Sequence, residues 1–139
     1  MDSAVVDLGS LSAASRVVFR IGLGAAGVMA VFNTLNGIGT LIDPTFGQTD
    51  AAIAAQPVWM SVMLAAFGLA TLAALVPAWK GVRWAIVVVV ASRLLEAWSA
   101  IVLPFLPDAP EGIGFFVVVL IVVGTGVALM VAQSLRVKA

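Results

Sequence analysis

The sequence predicts an all-α polytopic membrane protein whose four transmembrane helices form an up-down-up-down bundle. Of its 139 residues, 63% are hydrophobic and only 10% are charged. A soluble domain usually carries about 25% charged residues, so this chain has too little polar surface to cover a core that faces water. In addition, four apolar stretches reach the roughly 20 residues that a helix needs to cross a bilayer.

The four predicted spans make up a single membrane domain, residues 1–139, with no separate soluble domain. They cover residues 17–42, 56–76, 82–103 and 112–135. Because the connections are short, neighbouring spans are expected to run antiparallel. The prolines fall at or beyond the ends of these spans, where a proline costs no interior helix hydrogen bond. They are Pro44, Pro57, Pro77, Pro104, Pro107 and Pro110.

The basic residues other than Arg93 all lie at one end of the predicted helices. One end carries the bases Arg16, Arg20, Lys80, Arg83, Arg136 and Lys138. The connections at the other end carry only the acids Asp43, Asp50, Asp108 and Glu111. The positive-inside rule therefore predicts that both termini are cytoplasmic. The Ala-, Val- and Gly-rich, Lys-poor composition favours the inner (plasma) membrane of a bacterium.

Several classes of function are excluded by composition. The chain has no Cys, His or Tyr, which excludes disulfides, thiol chemistry, the usual zinc sites, imidazole-ligated haem and Ser-His-Asp catalysis. Its formal net charge of zero removes the electrostatic basis for nucleic-acid binding. We expect no metal and no cofactor. An enzyme is a minor alternative, since only Glu96, Asp43 and Asp50 could act as bases.

Small residues recur along the spans at spacings that favour close helix packing. Residues 22–27 spell a G-x-G-x-x-G pattern, but no strand or βαβ unit surrounds it, so a dinucleotide site is not indicated. Small side chains instead let helix backbones approach each other within lipid. The same interpretation predicts further seams at Ala66, Ala70 and Ala74 in span two and at Gly124 and Ala128 in span four.

The third span contains a polar stripe formed by Ser92, Arg93, Glu96 and Ser99. At about 100° per residue these side chains fall within an arc of roughly 120° and should face protein rather than lipid. A rise of about 1.5 Å per residue from Arg83 places Arg93 about 15 Å and Glu96 about 20 Å into the bilayer. A central ionised residue costs roughly 2.5–3.5 kcal/mol, which an i,i+3 Arg–Glu pair partly offsets.

Span one offers partners for this stripe at the same depth. Asn33 follows Arg20 by thirteen residues, as Glu96 follows Arg83, and Asn36 lies one turn further along. We therefore predict an intramembrane polar cluster of Arg93, Glu96, Asn33 and Asn36, with Ser92 and Ser99 as weaker members. Three interpretations stay open: a staple that fixes helix register, a polar head-group or proton site in a hydrophobic pocket, or a contact with a charged residue of a partner subunit.

The start of span one carries a resemblance to a known family. The residues Val18-Phe19-Arg20-Ile21-Gly22-Leu23-Gly24, followed by Asn33 and Gly37, resemble the beginning of DoxX-like membrane proteins, which are also small four-helix chains. The resemblance extends to chain length and to termini on one side of the membrane. It implies membership of, or service to, a membrane redox or quinone-linked complex without a cofactor of its own, and it carries over no catalytic residue.

The sequence favours one function and keeps a second from another class. The leading expectation is a non-enzymatic accessory, assembly or stabilising subunit of a larger membrane complex, such as a redox or lipid-handling one. The alternative is a binder or transporter of a small hydrophobic molecule, such as a lipid or quinone, whose polar end meets Arg93 and Glu96. An open cavity would distinguish the two. The helix faces admit membrane lipids, other integral membrane subunits and further copies of the chain as partners.

Overall fold

The computed structural model describes residues 4–46, 57–107 and 109–137, which fold into four long helices. These are α1 (Ala13–Ile42), α2 (Val58–Trp79), α3 (Arg83–Ser99) and α4 (Ile113–Ala132). Helix α3 continues as a 3-10 helix over Ala100–Phe105, and α4 continues as another over Gln133–Arg136. The described residues contain no β-strand, only an isolated bridge between Val5 and Val82. The all-α prediction is confirmed for these residues, with four helices long and apolar enough to cross a membrane.

The helix ends differ from the predicted spans where local hydrogen bonding decides them. Helix α1 begins before residue 17 because the Ser12 hydroxyl accepts the Ser15 N–H at 3.1 Å and caps the first turn. The expectation that Pro77 lies at or beyond the end of span two is wrong, since α2 continues through it to Trp79. A proline in the last turn removes only one helix hydrogen bond, and its own carbonyl accepts the Val82 N–H at 3.0 Å. Gln56, the first predicted residue of span two, and Asp50, Asp108 and Lys138 lie outside the described residues.

Asp43 ends α1. Its N–H donates to the Gly39 carbonyl at 2.8 Å, and its backbone then leaves the helical region. Its Oδ1 accepts the Thr45 hydroxyl at 2.7 Å and the Thr45 N–H at 2.9 Å. These two hydrogen bonds, the hydroxyl first, lower the pKa of the exposed Asp43 carboxyl. The connection after α1 therefore begins with an anion at neutral pH.

Backbone contact holds α1 against α2. A Cβ on Gly37 would lie 2.5 Å from the Ala65 nitrogen, and one on Gly68 would lie 2.9 Å from the Ala30 carbonyl oxygen. Between Gly27 and Gly37 of α1, the contacts on α2 move from Leu75 back to Ala65, so the two helices are antiparallel. Within lipid no hydrophobic force joins helices, and such close approach supplies the packing energy instead.

The glycine pattern of α1 packs against two different helices. A Cβ on Gly22 would lie 2.8 Å from the Cβ of Met130 on α4, and one on Gly27 would lie 3.0 Å from the Leu75 side chain on α2. A Cβ on Gly24 would meet no atom of another helix within 4 Å among the described residues. Two of the three glycines therefore serve helix packing, while the third faces outward.

The predicted seam of span two is placed wrongly at Ala66, which is exposed, and Ala70 is only half-buried. The buried face instead follows steps of three or four residues, which track the period of 3.6, whereas a strict four-residue step drifts around the helix. It includes Ser61, Ala65, Gly68, Thr71, Ala74 and Ala78. In α4 the predicted seam residues Gly124 and Ala128 are both buried, and Gly124 faces Ala97 of α3.

The bundle has two halves that differ in packing. We call one the closed half; its core draws on all four helices and on the segment before α1. That core contains Val6, Phe19, Leu23, Ala26, Ala74, Ala78, Ala85, Ile86, Val89, Val127 and Val131. Val6 is fixed by its N–H, which donates to the Gly81 carbonyl at 2.8 Å. Gly81 has a φ of +83°, a conformation that favours glycine.

The open half is the other end of the bundle. It contains residues 29–42 of α1, 58–67 of α2 and 96–106, which comprise the end of α3 and its 3-10 extension. It also contains residues 109–120, which comprise the segment before α4 and the first turns of that helix. Its walls include 3-10 turns and the segment around Pro107 and Pro110 in addition to regular helix. Large apolar side chains face outward here, with Phe32 68% and Phe115 78% exposed, as suits contact with lipid.

Candidate functional site

Arg93 lies at the border between the two halves. It is 1% exposed and is the largest of the fully buried side chains. A charge buried this deeply needs a partner, and its Nη2 lies 2.6 Å from Oε2 of Glu96, one turn along α3. Oε2 nevertheless has no aligned hydrogen bond among the described residues. The close contact is therefore best regarded as a charge–charge pair.

Asn33 of α1 completes the link across the bundle. Its Nδ2 donates a hydrogen bond to Oε1 of Glu96. The structure thus brings together Arg93, Glu96 and Asn33, three of the four principal residues of the predicted cluster. Their positions agree with the depth argument, because both Asn33 and Glu96 lie thirteen residues from a basic residue near the same end of the bundle.

Helix α2 also contributes to the cluster, which the sequence reasoning missed. Arg93 Nη2 donates to the Thr71 hydroxyl at 3.0 Å and to the Phe67 carbonyl at 3.3 Å. The hydroxyls of Thr71 and Ser92 lie 2.7 Å apart. The signal for Thr71 was the same depth count: it precedes Lys80 by nine residues, as Arg93 follows Arg83 by ten.

Two predicted members do not join the cluster through their side chains. The Ser99 hydroxyl donates to the Glu96 carbonyl at 2.7 Å, within its own helix. The prediction that Asn36 belongs to the bonded cluster is not met, because its exposed side chain makes no hydrogen bond among the described residues. One turn beyond Asn33, the α1 surface has already rotated away from α3. Both Asn36 and Ser99 instead line the space next to the cluster.

That space is a cavity of about 370 Å³ in the open half. Among the described residues, its polar lining includes Asn33, Asn36, Glu96 and Ser99. Its apolar walls come from all four helices and include Met29, Met60, Met63, Phe67, Leu103 and Phe116. Small-molecule sites usually have volumes of roughly 300–1,000 Å³, and this cavity falls within that range. Its apolar walls with a few polar groups are also typical of such sites. Methionine is flexible and polarizable, so these walls can adapt to ligand shape.

The cavity meets the polar cluster only on the side of Glu96 and Asn33. The Arg93 side chain has no exposed surface and lies outside the lining, whereas the Glu96 side chain is 12% exposed. None of the closed-half core residues lines the cavity. The arrangement is an apolar chamber with a carboxylate and an amide at its inner end and a paired guanidinium behind them.

Comparison with known proteins gives no match to a family model, to a curated protein or to a solved structure. The resemblance of span one to DoxX-like proteins therefore stays a prediction from its residues.

Proposed function

We propose that this chain is a membrane protein that binds a small hydrophobic molecule with a polar end, of the lipid or quinone type. The observation that carries the proposal is the cavity of about 370 Å³ whose apolar walls lead to Glu96 and Asn33. An apolar chamber with a few polar groups at one end matches the chemistry of an amphiphile. The cavity favours this function over that of an accessory or assembly subunit.

The bonding of the ion pair also supports a role beyond holding helices together. Arg93 Nε and Nη1, which are buried, have no hydrogen-bond partner among the described residues. A buried pair stabilises a fold only when its remaining polar groups are satisfied, and this pair meets that condition incompletely. The buried Arg93 also has no surface to offer a charged residue of a partner subunit. Both points favour a ligand site over the staple and the partner contact.

The closed half argues for binding rather than passage. Its core residues, such as Phe19, Leu23 and Ile86, are at most 1% exposed, and none of them lines the cavity. A molecule in the open half therefore meets a dead end. With the up-down-up-down topology and cytoplasmic termini proposed from the positive-inside rule, the cavity belongs to the outer half of a bacterial inner membrane.

Retention of a small molecule tests the proposal. The protein is extracted from its membranes in a mild detergent and analysed by native mass spectrometry for bound non-protein mass. Ala100→Phe fills the cavity, because Ala100 lines it and is 6% exposed. Ala66→Phe is the matched control, since Ala66 is exposed on α2 and does not line the cavity. We expect wild type and A66F to retain the same small molecule and A100F to lose at least about tenfold in occupancy, as when a bulky group clashes with a ligand.

Two results would contradict this function. One is a wild-type protein that retains no small molecule, and the other is an A100F protein that retains it at the wild-type level. If the wild type instead migrates with stoichiometric membrane subunits and carries no small molecule, the accessory-subunit function replaces the proposal.

A further inference from the structure

We infer that the ligand is a neutral, single-chain amphiphile whose polar end carries a hydroxyl group, and that Glu96 accepts its hydrogen bond. The inference rests on the proposed function and specifies the class of molecule that the cavity selects. It follows from three properties of the site: the placement of charge, the supply of hydrogen-bond donors and the shape of the walls.

The placement of charge disfavours an anionic head group. Glu96 lines the cavity, while its cationic partner Arg93 is fully buried on the far side. A ligand carboxylate or phosphate would approach the Glu96 carboxylate first, and bringing like charges together in an apolar site is strongly unfavourable. No other cationic residue lines the cavity in the described part of the chain.

A cationic head group meets a different obstacle. Glu96 already neutralises Arg93, with 2.6 Å between Oε2 and Nη2. A ligand ammonium that took over the carboxylate would leave the guanidinium unpaired in surroundings without water, which is strongly unfavourable. The pair therefore presents the ligand with a net charge of zero and selects a neutral head.

The hydrogen-bond inventory then indicates a donor on the ligand. An ionised carboxylate is an acceptor with about four lone-pair sites. Oε2 is buried against Arg93 and out of reach of a ligand, so the acceptor open to the cavity is Oε1, which accepts one side-chain hydrogen bond among the described residues, from Asn33 Nδ2. A hydroxyl head can satisfy this remaining acceptor capacity. A ketone or ester head has only hydrogen-bond acceptors, so it would donate no hydrogen bond to the carboxylate.

The walls suit one apolar chain. A volume of about 370 Å³ lies near the lower end of the range for ligand cavities. The walls carry no charge apart from Glu96 among the described lining residues, and Met29, Met60 and Met63 can adjust to a flexible chain. A volume near this lower end favours one chain over two.

A head-group series measured with Trp59 tests the inference. Trp59 lines the cavity, so replacing Trp79, Trp84 and Trp98 with Phe leaves a single fluorescent reporter in it. Three probes share one brominated twelve-carbon chain, whose bromine quenches tryptophan, and end in a hydroxyl, a carboxylate or a trimethylammonium group. The same protein with Ala100→Phe measures quenching by probe dissolved in the detergent. We expect the alcohol to bind at least about tenfold more tightly than either charged probe.

The outcomes separate the inference from the function on which it rests. Equal binding of the three probes, or tighter binding of a charged one, overturns the inference and leaves the cavity as a binding site. Quenching no greater than that of the A100F control with every probe contradicts the proposed function itself. The double variant Arg93→Gln/Glu96→Gln removes both charges and is expected to narrow the gap between alcohol and carboxylate; an unchanged gap means that Glu96 does not select the head. The wild-type series stands even if this variant fails to fold.

Discussion

The closed and open halves of the bundle are formed by the same four helices but differ in how densely those helices pack. In the closed half, Ala26, Ala74, Ala78 and Ala85 are at most 1% exposed and let the helices meet without a gap. In the open half, α3 gives way at Ser99 to 3-10 turns, and longer side chains surround a cavity of about 370 Å³. Side-chain size and the point at which a helix ends therefore decide which half is densely packed and which contains a cavity.

This difference separates stability from ligand binding within one small chain. The closed half supplies the dense packing that holds helices together in lipid, where no hydrophobic force acts between them. The open half keeps the close contact of α1 with α2 at Gly37, but a chamber replaces dense packing among the four helices. Arg93 connects the two, since Nη2 bonds Thr71, which lies beyond the open half on α2, and also pairs with Glu96 at the cavity.

The largest expected effect comes from removing the positive charge of Arg93, at the border between the closed and open halves. Arg93→Met leaves Glu96 unpaired in an apolar site, so the free energy of unfolding should fall by about 3–5 kcal/mol. The measurement is unfolding in dodecyl maltoside by added sodium dodecyl sulfate, followed by loss of helical circular dichroism.

The control for this prediction removes both charges. Arg93→Met/Glu96→Gln leaves no unpaired ion and should recover most of the lost free energy of unfolding. A single variant R93M that unfolds within about 1 kcal/mol of wild type would contradict the prediction, because it would mean that Glu96 is solvated at the cavity without help from Arg93.

A matched pair of truncations compares the two halves directly. Ile86 is 0% exposed in the closed half, whereas Leu64 is half-buried in a wall of the cavity. Ile86→Ala opens a void in a packed core and should lower the free energy of unfolding by about 2 kcal/mol. Leu64→Ala enlarges a space that already exists and should cost less than about 1 kcal/mol, because fewer contacts are lost. Equal costs in the same unfolding assay would show that the halves are equally well packed.

The sequence predicted much of the fold because membrane insertion imposes simple rules. Length and apolar content located the four helices, and the rise per residue alone placed Asn33 level with Glu96. These rules concern one helix at a time. They held for the i,i+3 pairing of Arg93 with Glu96 and for the level at which Asn33 meets Glu96.

The errors arose where the outcome depends on how two helices meet. The seam assigned to Ala66 failed because small size alone does not identify the face that meets a neighbour. The depth count suggested Asn36 as readily as Asn33, although only Asn33 reaches Glu96. The cavity itself is a property of four helices together, and no single span encodes it. Thr71 was within reach of the depth count but lies on a helix without ionisable residues, so no charge marked its position.

The smallest predicted effect concerns the hydrogen bonds that Thr71 of α2 makes with Arg93 and Ser92 of α3. Thr71→Val keeps the shape of the side chain and removes the hydroxyl that accepts from Arg93 Nη2 and meets Ser92. Hydrogen bonds between membrane helices contribute about 0.6 kcal/mol on average, so the free energy of unfolding should fall by about 1 kcal/mol for the two. Ser99→Ala is the control, because its hydroxyl bonds only its own helix at the Glu96 carbonyl, and it should leave the free energy of unfolding unchanged within about 0.3 kcal/mol. If S99A costs as much as T71V, the bonds of the Thr71 hydroxyl to α3 contribute nothing beyond local ones, and the guanidinium is held in place by Glu96 and the Phe67 carbonyl.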